Sequence, residues 1–259
     1  EQAPQIPRDI TFIIARAGSM AGASSEQAKS SLVAALSRMT TQDRFNIIQF
    51  NDMVRSLFSI PQSVTTKTMQ QAIRYTEHLT ADGGTEILPA LRQALQSPQD
   101  NSRLQQVILI TDGQVGNEDH ILRELAPSLR NIKMFTLGVD QAVNAAFLRR
   151  LASAGGGLCE LVESEDRLDD VMAKVHRRIG TPIATELQLV PTGLEIDASS
   201  VSPSKLPDVY AGAPVTILGR YRGTAPATAS VELVGSGLGD PLRERLSRQT
   251  QAYDTRDTQ

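Results

Sequence analysis

Two patterns of apolar and polar positions divide the chain. Up to about residue 180, compact apolar runs alternate with stretches whose apolar residues recur every three or four positions. The run Ile10-Thr11-Phe12-Ile13-Ile14 shows almost no alternation, which predicts a strand covered on both faces in the middle of a parallel sheet. Further strands are expected at Asp43–Phe50, Met53–Phe58, Val107–Thr111, Lys133–Val139 and Leu158–Val162, with Asn51-Asp52 as a tight hairpin turn. Helical spacing at Ala28, Leu32, Ala35, Leu36 and Met39 predicts a first helix of about four turns, with Ser24 and Gln27 as its capping box. Other helices are expected from about Thr66 to Leu79, from Thr85 through Leu95, and over Glu118–Leu129, Asn144–Ser153 and Ser164–Ile179. Strands alternating with helices predict an α/β fold: a doubly wound, mostly parallel six-stranded sheet with helices on both faces and one antiparallel edge.

At Gly180-Thr181-Pro182 the texture changes. Leu187–Val190, Leu194–Ile196, Val215–Tyr221 and Ala229–Leu233 are short alternating segments broken by Pro and Gly, and predict a small all-β unit. The expected division is a linker over 1–8, the α/β domain over 9–180, the β-rich unit over 181–242 and a polar tail over 243–259, helical at its start. About 80 residues is small for an isolated sandwich, so the β-rich unit is expected to be half of a composite domain.

Composition narrows the function classes. The 259 residues are 40% hydrophobic, enough for a sizeable core, and a net charge of −3 without blocks of like charge gives no reason to invoke nucleic acid or an anionic membrane. The single cysteine, Cys159, excludes an internal disulfide framework. No apolar run approaches the roughly 18 to 20 residues needed to span a bilayer. With Glu1 at its start and no secretory pattern, the chain reads as an excised or processed fragment.

Candidate chemistry gathers at strand ends. Ala15-Arg16-Ala17-Gly18-Ser19-Met20 follows the first strand, Ala81-Asp82-Gly83-Gly84-Thr85-Glu86 lies between two helices, and Thr111-Asp112-Gly113 ends a second buried strand. In open α/β sheets, ligands bind at the carboxyl ends of strands. These stretches resemble the von Willebrand factor type A fold, whose first loop reads Asp-x-Ser-x-Ser and, with a Thr and an Asp from later loops, holds a divalent cation. Asp43–Asn51, Ala81–Leu88, Thr111–Glu118 and Leu206–Gly212 are similar, more narrowly, to the inter-alpha-trypsin inhibitor heavy-chain group, whose bacterial members are secreted or surface-anchored.

The resemblance implies metal ligands at Ser19, Thr85 and Asp112, but Ala15 and Ala17 stand where the family has Asp and Ser. Arg16, Gly18, Gly84 and Gly113 would border the ligand, with Arg16 turned away into solvent. A parent with Asp and Ser at positions 15 and 17 would hold Mg²⁺, or Mn²⁺ or Ca²⁺, and through it an acidic side chain of a partner protein. In this chain one carboxylate survives, too little charge for Mg²⁺, and no cofactor is expected. Substitution introduced to silence the site and natural loss are both open. The functional expectation is a non-enzymatic adhesion or protein-binding module, extracellular, cell-surface or periplasmic. Its partners would be a protein ligand or other domains of the parent, without nucleic acid or membrane insertion. A structural stalk or spacer with no ligand at this end is the alternative, and a hydrolase using Ser19 is a distant third.

Three other features are expected to be structural. Gly155-Gly156-Gly157 lacks the Lys-Ser/Thr of a phosphate loop and reads as a turn. His78, His120 and His176 sit on separate predicted helices without paired spacing. Asp240-Pro241 is followed by Leu242-Arg243, which breaks the motif by which the heavy-chain group is joined to a glycan.

Overall fold

The computed structural model describes residues 7–96, 100, 102–130, 132–139, 142–162, 170, 175, 182–209, 215–223, 228–237 and 242–247. The chain divides into two compact units, the second beginning at Pro182.

In the first unit the strands are β1 (Arg8–Ala15), β2 (Arg44–Phe50), β3 (Val54–Ser56), β4 (Gln62–Ser63), β5 (Leu104–Thr111), β6 (Lys133–Val139) and β7 (Cys159–Val162). Their spatial order is β3-β2-β1-β5-β6-β7, with β4 also pairing β2. Pairing is parallel from β2 through β7 and antiparallel at β3 and β4. The sheet thus has seven strands instead of six. The extra one, β4, is two residues long and too short to leave a period in the sequence.

The helices are α1 (Ala23–Leu36), α2 (Thr66–Glu77), α3 (Ile87–Leu95), α4 (Glu118–Leu125) and α5 (Ala145–Ala154). Helix α1 packs on β1, β5 and β6 and against α2; α3 packs on β1 and β2 and meets α4, which meets α5 over β6 and β7. Strand β1 lies between these two layers, and all eight of its residues are buried, as its unbroken apolar run requires. Phe12, Ile13, Ile14, Ile47, Ile48, Leu109 and Ile110 form the centre of the core. None of the described helices is long and apolar enough to cross a membrane.

Several local expectations are corrected. Helix α1 starts at Ala23 behind Gly22, so Ser24 is inside it, and Gln27 donates through Nε2 to the Val162 carbonyl instead of capping. The capping box belongs to α2, where Thr65 and Thr68 bond each other's backbone amides. Helix α4 stops at Leu125, with a separate 3-10 turn at Ser128–Arg130. The helix expected over Ser164–Ile179 lies almost wholly outside the described residues, as do His176, Asp240 and the stretch 248–259.

Gly155-Gly156-Gly157 is a turn. It ends α5, and a Cβ on Gly157 would lie 2.0 Å from the Met134 carbonyl oxygen, so the run exists to let the chain pass close over β6. His78 closes α2 and His120 lies on the exposed side of α4, both on helix surfaces as expected.

The second unit contains β8 (Ala184–Thr192), β9 (Glu195–Ser202), β10 (Leu218–Arg222), β11 (Ser230–Gly237) and β12 (Leu242–Ser247). They make a two-stranded sheet, β10-β9, and a three-stranded sheet, β12-β11-β8. The helical start expected at Arg243 is instead strand β12, paired antiparallel with β11. Cross-strand pairing along β11 overrides the helical tendency of Arg-Glu-Arg-Leu. Ile183, Val190, Leu218 and Tyr221 are exposed large apolar side chains of this unit.

Candidate functional site at the carboxyl end of the sheet

Strand register sets the site. Ala15 pairs with Phe50, and Ile14 pairs with Ile110, so β2, β1 and β5 end level with one another. The chain leaves them as Asn51, Arg16 and Asp112, side by side at the carboxyl edge.

The loop after β1 is tied to its neighbours by backbone. Arg16 N donates to the Phe50 carbonyl at 2.9 Å, Gly18 N donates to the Gly83 carbonyl at 2.9 Å, and the Arg16 carbonyl accepts from Asp82 N at 2.8 Å. Gly18–Met20 forms a single 3-10 turn with Met20 fully buried beneath it. That anchor leaves Ser19 exposed.

Arg16 does not point into solvent. Its Nη1 donates to Asp82 Oδ1 at 2.6 Å and to the Thr80 carbonyl at 3.1 Å, and its side chain is 14% exposed. The residue expected to be free is therefore a clasp on the 79–86 loop. Long-range pairing of this kind has no signature in local spacing.

Asn51 and Asp52, read from sequence only as hairpin formers, hold the same loop. Asn51 is buried; its Nδ2 donates to Asp82 Oδ1 at 2.9 Å, its Oδ1 accepts from Met53 N at 2.9 Å, and its carbonyl accepts from Glu86 N at 2.9 Å. Asp52 Oδ2 accepts from Gly84 N at 2.9 Å. Gly83 has φ +73°, a conformation other residues adopt only with strain, and it lets the loop turn over Asp52. Thr85 follows, half-buried, just before α3.

Asp112 is 1% exposed. Its Oδ1 accepts from Gln114 N at 3.0 Å, its carbonyl accepts from Asn144 N at 2.8 Å, and Asn144 in turn caps α5. Gly113, at φ +75°, turns the chain against Leu148. Asp112 Oδ2 is buried and has no hydrogen-bond partner. The hydroxyls of Ser19 and Thr85 likewise have none among the described residues. Three oxygens from three loops are thus uncommitted. Ala15 and Ala17, 4% and 1% exposed, contribute only methyl groups. Among the described residues, no group of three or more His, Cys, Asp or Glu could hold a metal ion.

A von Willebrand factor type A domain model matches residues 8–161. The chain belongs to the von Willebrand factor type A family. It is similar to a von Willebrand factor A domain-containing protein of Dictyostelium discoideum, 25% identical over 232 residues, which cover 88% of this chain and 28% of that protein. It is also similar to inter-alpha-trypsin inhibitor heavy chain H2 of Mus musculus, 24% identical over 276 residues, covering 97% of this chain and 29% of the relative. The chain therefore spans under a third of the length of these relatives.

Among solved structures, a von Willebrand factor type A protein from Catenulispora acidiphila superposes with a TM-score of 0.67 at 20% identity, covering 93% of this chain and 65% of that one. Proximal thread matrix protein 1 of the mussel byssus, with a zinc-occupied metal-ion-dependent adhesion motif, superposes with a TM-score of 0.55 at 20% identity, over 66% of this chain and 45% of that chain. Both likenesses show the shared fold.

Proposed function

We propose that this chain is a non-enzymatic protein-binding module that works through the loops around Ser19, Thr85 and Asp112, and that it does so without a bound divalent cation. The observation behind this reading is the donor set. A hard cation such as Mg²⁺ gives up its water reluctantly and needs several oxygens with more than one negative charge among them. Here the uncommitted oxygens carry a single charge, that of Asp112, and the two positions where the family has Asp and Ser are the buried methyls of Ala15 and Ala17. The altered site thus departs from the family's cation-bridged capture of an acidic side chain. Arg16, Gly18, Gly84 and Gly113 remain the border of the binding end. Membership in the family supports a binding role, and the heavy-chain likeness supports an extracellular, cell-surface or periplasmic setting.

The second reading, a spacer that binds nothing at this end, draws on the exposed apolar side chains Ile183, Val190, Leu218 and Tyr221 of the β unit. They suit half of a composite domain, completed by another segment of the parent.

Thermal unfolding with and without Mg²⁺ tests the proposal on this chain and on the double variant Ala15→Asp, Ala17→Ser. A ligand at a hundredfold excess over its Kd stabilises the folded state by about 2.7 kcal/mol. The variant is expected to gain stability and this chain none. A gain in this chain would overturn the metal-free reading, and no gain in either would favour the spacer.

A further inference from the structure

The metal-free reading leaves a question that the three free oxygens answer: what do they bind? Asp112 Oδ2 is a carboxyl oxygen out of water and without a hydrogen bond, a state that is costly unless a donor reaches it. Ser19 Oγ and Thr85 Oγ1 stand in the two loops that are joined by the Gly18 N to Gly83 carbonyl bond. Together the set offers three acceptors and one negative charge.

A primary ammonium is the complement of that set. It carries one positive charge and three N–H donors, and it has no acceptor that would need satisfying. A guanidinium is a poorer match, because its planar fork favours both oxygens of one carboxylate, and Asp112 Oδ1 is already held by Gln114 N. The surroundings agree: Asp52, Asp82 and Glu86 are exposed acidic residues on the adjoining loops, and the cation among them, Arg16, is paired with Asp82. No hydrogen bond among the described residues fixes the Ser19 or Thr85 hydroxyl, so both are open to a new donor.

We propose that the loop end of this form receives a lysine side chain of a protein partner, its ammonium donating to Asp112 Oδ2, Ser19 Oγ and Thr85 Oγ1. The inference rests on the metal-free reading, and it reverses the charge of the ligand that a cation-loaded site would take.

The test is a series of amide ¹H–¹⁵N spectra of the whole chain titrated at matched ionic strength with Nα-acetyl-lysine N-methylamide, its Nε-acetylated counterpart, KCl and MgCl₂. Saturable shifts confined to Gly18–Met20, Gly84–Glu86 and Gly113–Gln114 are expected with the free ammonium alone. Binding is expected to be about tenfold weaker in Asp112→Asn, which keeps an acceptor for Gln114 N, and weaker by a smaller factor in Thr85→Val. Equal shifts with KCl, undiminished binding in both variants, or no localised shifts would overturn the inference. Shifts of the same amides with MgCl₂ would instead overturn the metal-free reading, so the two failures are separable.

Discussion

The two ends of the central sheet treat their charges in opposite ways. At the amino edge every buried charge is answered. Arg8 and Asp43 make a two-pronged pair at 2.9 and 2.6 Å; Asp9 receives Arg44 at 2.7 and 2.6 Å, Arg103 at 2.7 Å and Gln105 at 3.2 Å. At the carboxyl edge the buried Asp112 keeps one oxygen without a partner, and on the neighbouring loops the Ser19 and Thr85 hydroxyls make no hydrogen bond among the described residues. A buried charge is tolerated when it is paired and hydrogen-bonded, so the paired edge reads as architecture. The unpaired edge reads as a place prepared for something else, and it is the edge where α/β sheets bind ligands.

The contrast can be broken most forcefully at the paired edge. Asp43→Ala leaves the Arg8 guanidinium buried without its partner, and breaking such a pair costs about 3–5 kcal/mol. Chemical denaturation should show that loss, and an unchanged midpoint would refute the role given to the pair. Acid should act on the same edge. Burial works to raise the Asp9 carboxyl, but the bonds from Arg44, Gln105 and Arg103 together outweigh it and hold it below the ordinary value of 3.8. For Asp43, burial also works upward and is outweighed by Arg8 and the Thr40 amide, so it too lies below 3.8. Depressed carboxyls add stability that is complete above the unfolded value and is lost as pH falls through the folded one. Unfolding free energy followed against pH should therefore fall below about pH 4, and the fall should shrink in Asp43→Asn.

Smaller effects are expected at the carboxyl edge. Arg16→Ala removes a clasp whose partner, Asp82, has a side chain 60% exposed, so about 1 kcal/mol or less is at stake. Its clearer sign should be faster hydrogen exchange at the Asp82 and Gly84 amides. Asp112→Asn should leave the unfolding temperature unchanged or raise it, since it replaces a buried carboxyl that has one unpartnered oxygen and keeps an acceptor for Gln114 N. A large destabilisation there would make the two edges alike and end the comparison.

Much of this was legible in the order of residues. The unbroken run of β1 announced a strand buried on both faces, and the loops that carry Ser19, Thr85 and Asp112 could be placed at strand and helix ends before any coordinates. What was hidden depends on residues far apart in the chain. Arg16 meets Asp82 across 66 positions, and Asn51 braces a loop 31 positions on, so neither bond leaves a local period. Strand β4 escaped for its brevity, and β12 because a polar Arg-Glu-Arg stretch becomes a strand only when β11 is there to pair with it. Ser24 and Gln27 matched a capping box in spacing, but the turn at Gly22, φ +80°, makes Gly22 the N-cap and starts the helix two residues too early for them to serve.

On the proposed function, the buried methyl groups of Ala15 and Ala17 are what keep this chain from holding a cation. Electron paramagnetic resonance of free Mn²⁺ tests it directly, because protein-bound Mn²⁺ loses its sharp six-line signal. The free signal is expected to be undiminished by this chain and to fall by one ion per chain with the Ala15→Asp, Ala17→Ser variant. Capture of one Mn²⁺ by the chain as it stands, abolished by Asp112→Ala, would contradict the account.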